Sequence, residues 1–354
     1  MKTDQINIFF LETELQCLAY ETIRDTLSEQ ASYLPFVTLT SVYDYLMDHE
    51  EPAQFLNKEV HGWLSRLLRF RKNLRIIKKR IKEISVDPKE INYHTARIDG
   101  FFSNLIVGYL QYHFPTSSIH ARLIPDGAIN VFSTTISKSK KRKLFHWSRD
   151  WAVRLLPDMK ITKIWGDELG ADVDIVDRIY CFEGVKTPYP KRKIHRVPLL
   201  HSRQAANDGE IKPRALIIGQ NFLQLGTASK LFVDSVSKEI KRLVEEFNIQ
   251  EVDYIPHPRS ACKEFWDEDY TWINQTELCS EQLISTGRYT HIFSCYSSVL
   301  LNSKLIMGSS VDVYSIGIDL FPFRDHCQKE QLETVYNQAG IELIPLNDIK
   351  PASA

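Results

Sequence analysis

Two short stretches in the second half of the chain carry residues suited to handling an anion. In Asp253-Tyr-Ile-Pro-His-Pro-Arg259, a β-branched and aromatic run ends in Pro256-His257-Pro258. It reads as a buried strand that delivers one imidazole, framed by two prolines of fixed φ, to the C-terminal edge of a sheet. Some forty residues on, Thr290-His-Ile-Phe-Ser294 reads as a strand, Tyr296-Ser297-Ser298 as a turn and 299–306 as a helix. Two hydroxyls and backbone N–H groups at a helix N-terminus suit a phosphate. The carboxyl edge of an open α/β sheet is also where such folds bind ligands. Each feature has a plain structural alternative: the histidine as a satisfied packing residue, the serine pair as an ordinary N-cap.

Further polar groups fall at similar strand ends. Ser118-Ile-His-Ala-Arg-Leu-Ile124 alternates as a strand and stops at Pro125-Asp126-Gly127, where Asp126 is either a presented carboxylate or part of a turn. Thr13-Glu-Leu-Gln16 follows a first strand at 5–10 and opens a helix to about residue 29, with Thr13 as N-cap. Gly219-Gln220 follows a strand at 214–219, and glycine there permits close approach of a ligand to the backbone. Glu281 lies at the start of a helix over 280–284, where it could accept sugar hydroxyls or simply favour the helix N-terminus.

The elements that would position these groups form two α/β series. In the first, strands are expected at 5–10, 36–39, 118–124 and 177–182. A long helical region is expected over 51–84, and an apolar run at 101–107 leads into a helix toward Phe114. Polar, turn-rich sequence then intervenes, His201-Ser-Arg-Gln-Ala-Ala-Asn-Asp-Gly209. The second series holds a strand at 214–219, a helix over 228–247 with spacing near 3.6, a strand at 252–255, and a last buried strand at 311–315. The expected organisation is an N-terminal Rossmann-like domain at 1–200, a linker at 201–212 and a C-terminal Rossmann-like domain at 213–354.

The chain has 354 residues, enough for two domains, each with its own core. A net charge of −1 argues against general nucleic-acid affinity, and no recognition module accompanies the basic runs, so no nucleic-acid partner is expected. Six cysteines are scattered without zinc-ligand spacing, which favours a reducing, cytoplasmic home. No apolar run approaches bilayer-spanning length, and no signal peptide precedes the first strand.

Asp126-Gly127, His257-Pro258 and Ser297-Ser298, in that order and in those strand contexts, resemble bacterial GT-B sialyltransferases of the lipooligosaccharide and polysaccharide type, glycosyltransferase family 52 and its relatives. Thr13-Glu-Leu-Gln16, Gly219-Gln220 and Glu281 match further. One position departs from the acidic pair before glycine: Pro125 stands where the first carboxylate would be. The resemblance implies an α/β GT-B glycosyltransferase, with its active site in the cleft between two Rossmann-like domains. It also implies an inverting transfer of sialic acid from CMP-sialic acid to a terminal sugar of a surface glycan or lipid-linked oligosaccharide.

Asp126 would then be the base for the acceptor hydroxyl, with Thr13, Gln16 and Gly127 lining the acceptor side and Glu14 as the next candidate base. His257 would donate to the departing phosphate, helped by Ser297 and Ser298. Gly219, Gln220, Pro258 and Glu281 would complete the CMP-sugar site. No metal or other cofactor is needed, since the donor already carries a good leaving group. Asp172-Val-Asp174 and Asp267-Glu-Asp269 read as solvated loops or helix starts. Two rivals remain open: a GT-B transferase of another nonulosonic acid, Kdo or a nucleoside diphosphate sugar, and a catalytically idle scaffold in polysaccharide assembly.

Two basic segments bear on the acceptor. Residues 66–82 place Leu67, Phe70, Leu74, Ile77 and Ile81 on one helical face ringed by cations, and 138–156 joins a lysine run to two tryptophans. Both suit an anionic membrane surface, with about 1 kcal/mol per cation near it. For the first segment, core packing with a solvated basic face fits equally well. The expectation is a cytoplasmic protein associated peripherally with the inner face of the membrane.

Overall fold

The computed structural model describes residues 4–27, 31–48, 53–56, 63–127, 153, 156, 158–164, 166–199, 212–257, 263–273, 280–323 and 326–346. The chain divides into two compact units. The first comprises Met1–Asp126, Ser133–Glu183 and Thr187–Pro198; the second comprises Gly127–Phe132, Gly184–Lys186 and Leu199–Ala354.

The first unit is built on seven parallel strands: β1 (Gln5–Leu11), β2 (Ser32–Val37), β3 (Gln54–Phe55), β4 (Glu90–Thr95), β5 (Ser118–Leu123), β6 (Val176–Phe182) and β7 (Ile194–Val197). Their spatial order is β3-β2-β1-β4-β5-β6-β7, so the winding reverses between β1 and β4. Helices α1 (Glu14–Thr26), α2 (Thr40–Asp48), α3 (Trp63–Ile84) and α4 (Phe101–His113) accompany them. Because side chains alternate along a strand, Ile6, Ile8 and Phe10 of β1 join Ile91, Tyr93, Leu123 and Ile179 in one apolar cluster. Leu74, Ile77 and Ile81 of α3 and Leu105, Ile106 and Leu110 of α4 complete it. At Gly108 of α4 a side chain would fall 2.6 Å from the Thr162 nitrogen and 2.7 Å from the Lys160 oxygen, so glycine is what lets segment 160–162 lie against the helix.

The second unit repeats the plan with β8 (Arg214–Ile218), β9 (Glu251–Ile255), β10 (Thr271–Trp272), β11 (His291–Ser294), β12 (Asp312–Ile316) and β13 (Glu342–Ile344). These strands are also parallel, in the order β10-β9-β8-β11-β12-β13, with the reversal between β8 and β11. Its helices are α5 (Phe222–Leu225), α6 (Lys230–Glu246), α7 (Ser280–Ser285), α8 (Ser298–Met307) and α9 (His326–Ala339). Val233, Val236, Ile240 and Leu243 recur at helical spacing along α6 and bury against Ala215, Ile217 and Tyr254 of the sheet.

Several elements differ from the sequence-based expectation. The helical region expected over 51–84 begins at Trp63, with the short strand β3 before it. The run at 101–107 is the first half of α4, not a separate element. Strand β4 went unread because Glu90-Ile-Asn-Tyr-His-Thr95 alternates polar with apolar residues, although Asn92 and His94 are wholly buried. The segment 177–182 does not close the first series, since β7 pairs with β6 beyond it, and β13 follows the strand expected to be last. The apolar stripe of 66–82 is used inside the protein: Leu67, Leu74, Ile77 and Ile81 are buried in the core and Phe70 packs at its margin. That stripe is therefore not presented to a membrane. Segment 138–156 lies outside the described residues, apart from Val153 and Leu156, which pack on the same core. No helix among the described residues is long and apolar enough to cross a membrane.

Candidate functional site

In each unit, most of the polar groups singled out by sequence follow the carboxyl ends of strands near the point where strand order reverses. Such a reversal leaves a crevice between connections that leave in opposite directions.

In the first unit the turn from β1 into α1 is held by its own side chains. Thr13 is the N-cap, extended at φ −143° and ψ 158°, and its hydroxyl accepts from the Gln16 N–H at 3.3 Å. Gln16, only 2% exposed, folds back so that its Oε1 accepts from the Glu12 N–H at 2.7 Å. Its Nε2 donates to Asp126 Oδ1, also at 2.7 Å. Gln16 thus ties the head of α1 to the carboxylate beyond β5. Gly127 takes up φ 60°, a left-handed conformation that glycine adopts without strain, and so turns the chain sharply after Asp126.

Sequence reading missed Arg97 in this cluster. It stands in the connection from β4 to α4, where its Nε and Nη2 donate to Asp99 at 3.0 and 3.1 Å. Its carbonyl accepts from the Ser103 hydroxyl at 3.0 Å. The bond to Asp99 raises the guanidinium's pKa above its usual value, and the Asp126 and Glu12 carboxylates add to that effect. The cluster therefore couples a carboxylate held by a neutral amide with a fixed cation beside it. The available signal was the run Thr95-Ala-Arg-Ile-Asp-Gly100, polar and glycine-terminated between a strand and a helix.

In the second unit, Gly219-Gln220, His257 and Ser297-Ser298 follow β8, β9 and β11, three adjacent strands. Gln220 is 7% exposed and bridges two strand ends: its Nε2 donates to Ser294 Oγ at 3.1 Å, and that hydroxyl donates to the Ile218 carbonyl at 3.0 Å. Gly219 has a structural reason of its own, because a Cβ there would sit 2.4 Å from the Tyr254 hydroxyl oxygen. His257 lies two residues past β9 and is half-buried, while Pro258 lies outside the described residues.

The helix N-termini that directly follow β8 and β11 differ. At the head of the short helix α5, the buried Glu264 carboxylate accepts from the Phe222 N–H at 2.9 Å and the Leu223 N–H at 2.7 Å. That terminus is filled by the protein's own anion. At the head of α8, Ser297 is the N-cap and its hydroxyl accepts from the Val299 N–H at 3.2 Å, a role that leaves the hydroxyl proton available for donation. Tyr336 clamps this turn: its hydroxyl donates to the Ser297 carbonyl at 2.7 Å and accepts from the Ser297 N–H at 3.3 Å. Ser298 is half-exposed.

Glu281 is placed differently from its neighbours in the motif set. It is 4% exposed in the packing of α7 on α8, with Oε1 accepting from Asn302 Nδ2 at 2.8 Å. Asp253, which opens the His257 motif, lies at the middle of β9 and is engaged there by Arg214, Arg288 and Tyr289.

Comparison with solved structures agrees with this architecture. A co-structure of MnaA from S. aureus with UDP aligns with a TM-score of 0.50 at 11% identity, covering 98% of this chain and 93% of that one. UDP-GlcNAc 2-epimerase from Neisseria meningitidis, bound to UDP-GlcNAc, aligns at 0.49 and 10% identity over 97% and 96% of the two chains. A glycotransferase of kitacinnamycin aligns at 0.48 and 10% identity over 98% and 87%. No protein-family model matches the sequence, and no curated protein matches it. The class defined by these observations is the GT-B fold, two Rossmann-like units in one chain. The likeness to family 52 sialyltransferases rests on the short motifs alone.

Proposed function

We propose that this protein is an inverting, metal-independent sialyltransferase that moves sialic acid from CMP-sialic acid to a terminal sugar of a surface glycan or lipid-linked oligosaccharide. The carrying observation is the contrast between the helix N-termini that directly follow β8 and β11. One is filled by Glu264, whereas the head of α8 presents the Ser297 hydroxyl and half-exposed Ser298 beside the β8–β11 reversal. A single phosphate, as in a nucleoside monophosphate sugar, needs one such site.

In this reading Ser297, Ser298 and the α8 dipole hold the donor phosphate, Gln220 orders the strand ends beneath it, and His257 gives a proton to the departing phosphate oxygen. Asp126, oriented by Gln16, accepts the proton of the acceptor hydroxyl as that oxygen attacks the anomeric carbon. The C–O bond to CMP breaks as the new glycosidic bond forms on the opposite face, which inverts the centre. Proton transfer by placed groups of this kind contributes about 10²- to 10⁴-fold each.

A second reading is favoured by the fold likeness at a TM-score of 0.50 to the UDP co-structure of MnaA: a uridine diphosphate sugar as donor. Separate incubations with CMP-sialic acid, CMP-Kdo and UDP-GlcNAc, each with a glycan acceptor, distinguish the readings by which donor is consumed. Acceptor-dependent release of CMP from CMP-sialic acid supports the proposal. Release of UDP alone moves the donor to the second reading, and release of neither supports an idle scaffold.

A further inference from the structure

Four of the cations of α3 that sequence analysis offered to an anionic membrane surface line a pocket. On the first unit, Arg75, Lys78, Lys79 and Lys82 of α3 line an open pocket of about 600 Å³ with Glu83 and Asp158. Tyr109 and His113 of α4 form its other wall. Four cations against two carboxylates leave the lining with two positive charges in excess. The acids are already engaged: Asp158 accepts from Arg71 at 2.7 Å and Arg75 at 2.8 Å, and Glu83 pairs with Arg80 at 2.7 Å and more loosely with Lys79 at 3.8 Å.

The pocket also has a fixed floor. Lys78 Nζ lies 3.1 Å from His113 Nδ1, and His113 Nε2 lies 3.3 Å from the Asp158 carbonyl. An ammonium only donates and a carbonyl only accepts, so both contacts are met by a neutral imidazole protonated on Nε2. Tyr109 packs on the ring at a tilt, with centroids 4.2 Å apart, and Tyr112 meets it edge-on at 4.9 Å. Helix α3 ends before the amino end of β4, and α4 ends before the amino end of β5, so the pocket sits at the opposite end of the sheet from Asp126.

We infer that this pocket is a second binding site, for a phosphoryl or pyrophosphoryl group of at least two negative charges. Three lysines at positions i, i+1 and i+4 of one helix turn mobile point charges toward one volume, an arrangement suited to phosphate oxygens. The volume exceeds that of a lone phosphate and admits the group to which it is esterified. A soluble phosphate ester and an anionic lipid headgroup share this chemistry. The inference stands apart from the transferase reading, because none of these residues belongs to the sites described above.

His113 supplies a local reporter. Burial lowers its pKa below the ordinary imidazole value, and the Lys78 ammonium lowers it further; Lys82 adds to this, while the Asp158 carbonyl and carboxylate oppose it. An anion in the pocket offsets the lysine charges, so the titration midpoint rises.

The test uses the full chain and inorganic pyrophosphate, with the His113 ring proton followed by NMR as pH is varied. The wild type is expected to show an upward shift of the His113 midpoint on saturation. Lys79→Ala/Lys82→Ala is expected to bind about twenty-five-fold more weakly, at about fivefold per lysine, with its unfolding midpoint unchanged. Flotation with phosphatidylcholine vesicles, with and without phosphatidic acid, separates the sources. Binding that needs phosphatidic acid and is lost in the double variant assigns the site to a lipid headgroup, and pyrophosphate binding without flotation assigns it to a soluble ester. An unmoved His113 midpoint in the wild type, or equal pyrophosphate affinity in wild type and double variant, overturns the inference.

Discussion

Glu264 links the stability of the second unit to the choice of phosphate site. Its carboxylate is buried and accepts two backbone N–H groups, from Phe222 at 2.9 Å and Leu223 at 2.7 Å. Replacement by alanine leaves both donors without an acceptor in a site too enclosed for full hydration. An unmet buried donor costs about 1 to 3 kcal/mol, so Glu264→Ala should destabilise the unit by about 3 to 5 kcal/mol once lost packing is included. Glu264→Gln keeps one acceptor and turns an amide toward the other N–H, for about 1 to 2 kcal/mol. Urea unfolding followed by tryptophan fluorescence reads this directly, since Trp266 packs 5.3 Å from the ring of Tyr254 in the same core. A loss below about 1 kcal/mol for the alanine variant would refute the reasoning. Nucleotide titration of the folded variant adds a second reading. If the donor phosphate belongs at α8, removing the Glu264 charge changes CMP affinity little; a marked tightening would place the phosphate at α5.

Gly108→Ala should destabilise the first unit by about 2 kcal/mol or more, because the new methyl meets backbone atoms of Lys160, Ile161 and Thr162 at 2.6 to 2.8 Å; thermal unfolding near the wild-type midpoint would contradict this. His94 is wholly buried between Phe9 and Tyr180, and burial, with smaller contributions from Arg122 and Arg178, holds its pKa well below 6.5. Its neutral form is the folded one, so its stability contribution is full above 6.5 and is lost as pH falls below that value, at up to about 1.4 kcal/mol per pH unit. His94→Gln should flatten that part of the urea-stability profile, and an unchanged slope would reject the assignment. Asp126→Asn should leave CMP binding nearly unchanged and lower the transfer rate by roughly 10² or more; transfer at the normal rate would move the base to Glu14. His257→Ala should lower transfer by about 10²- to 10⁴-fold in a protein of unchanged fold, and near-normal turnover would remove His257 from the mechanism.

Hydrophobic periodicity made the second unit legible, because α6 and its flanking strands follow simple apolar patterns and are buried as those patterns require. The first unit was harder for a physical reason. Asn7, Asn92 and His94 put polar side chains inside the sheet, where Asn92 Nδ2 donates to Asn7 Oδ1 at 3.2 Å and His94 Nε2 lies 3.1 Å from the same oxygen. Such a strand reads as a solvated loop. The long amphipathic pattern of 66–82 was correct as a helix and ambiguous as to what covers it, since a core and a membrane ask for the same stripe. The serine cap, the Thr13 cap and the turn at Gly127 could be read from residue types because each is a local backbone device. Gln16's bond to Asp126 and Glu264's capture of α5 join residues far apart in sequence, and no local pattern announces them.

The central claim is that a nucleotide's phosphate rests at the head of α8. A crystal of the protein soaked with CMP tests it most directly. The expected result is a phosphate within about 3 Å of the Ser297 or Ser298 hydroxyl and the first N–H groups of α8, with His257 in reach of the same phosphate. A nucleotide bound at the head of α5 with Glu264 displaced, or held only by residues of the first unit, would contradict the account.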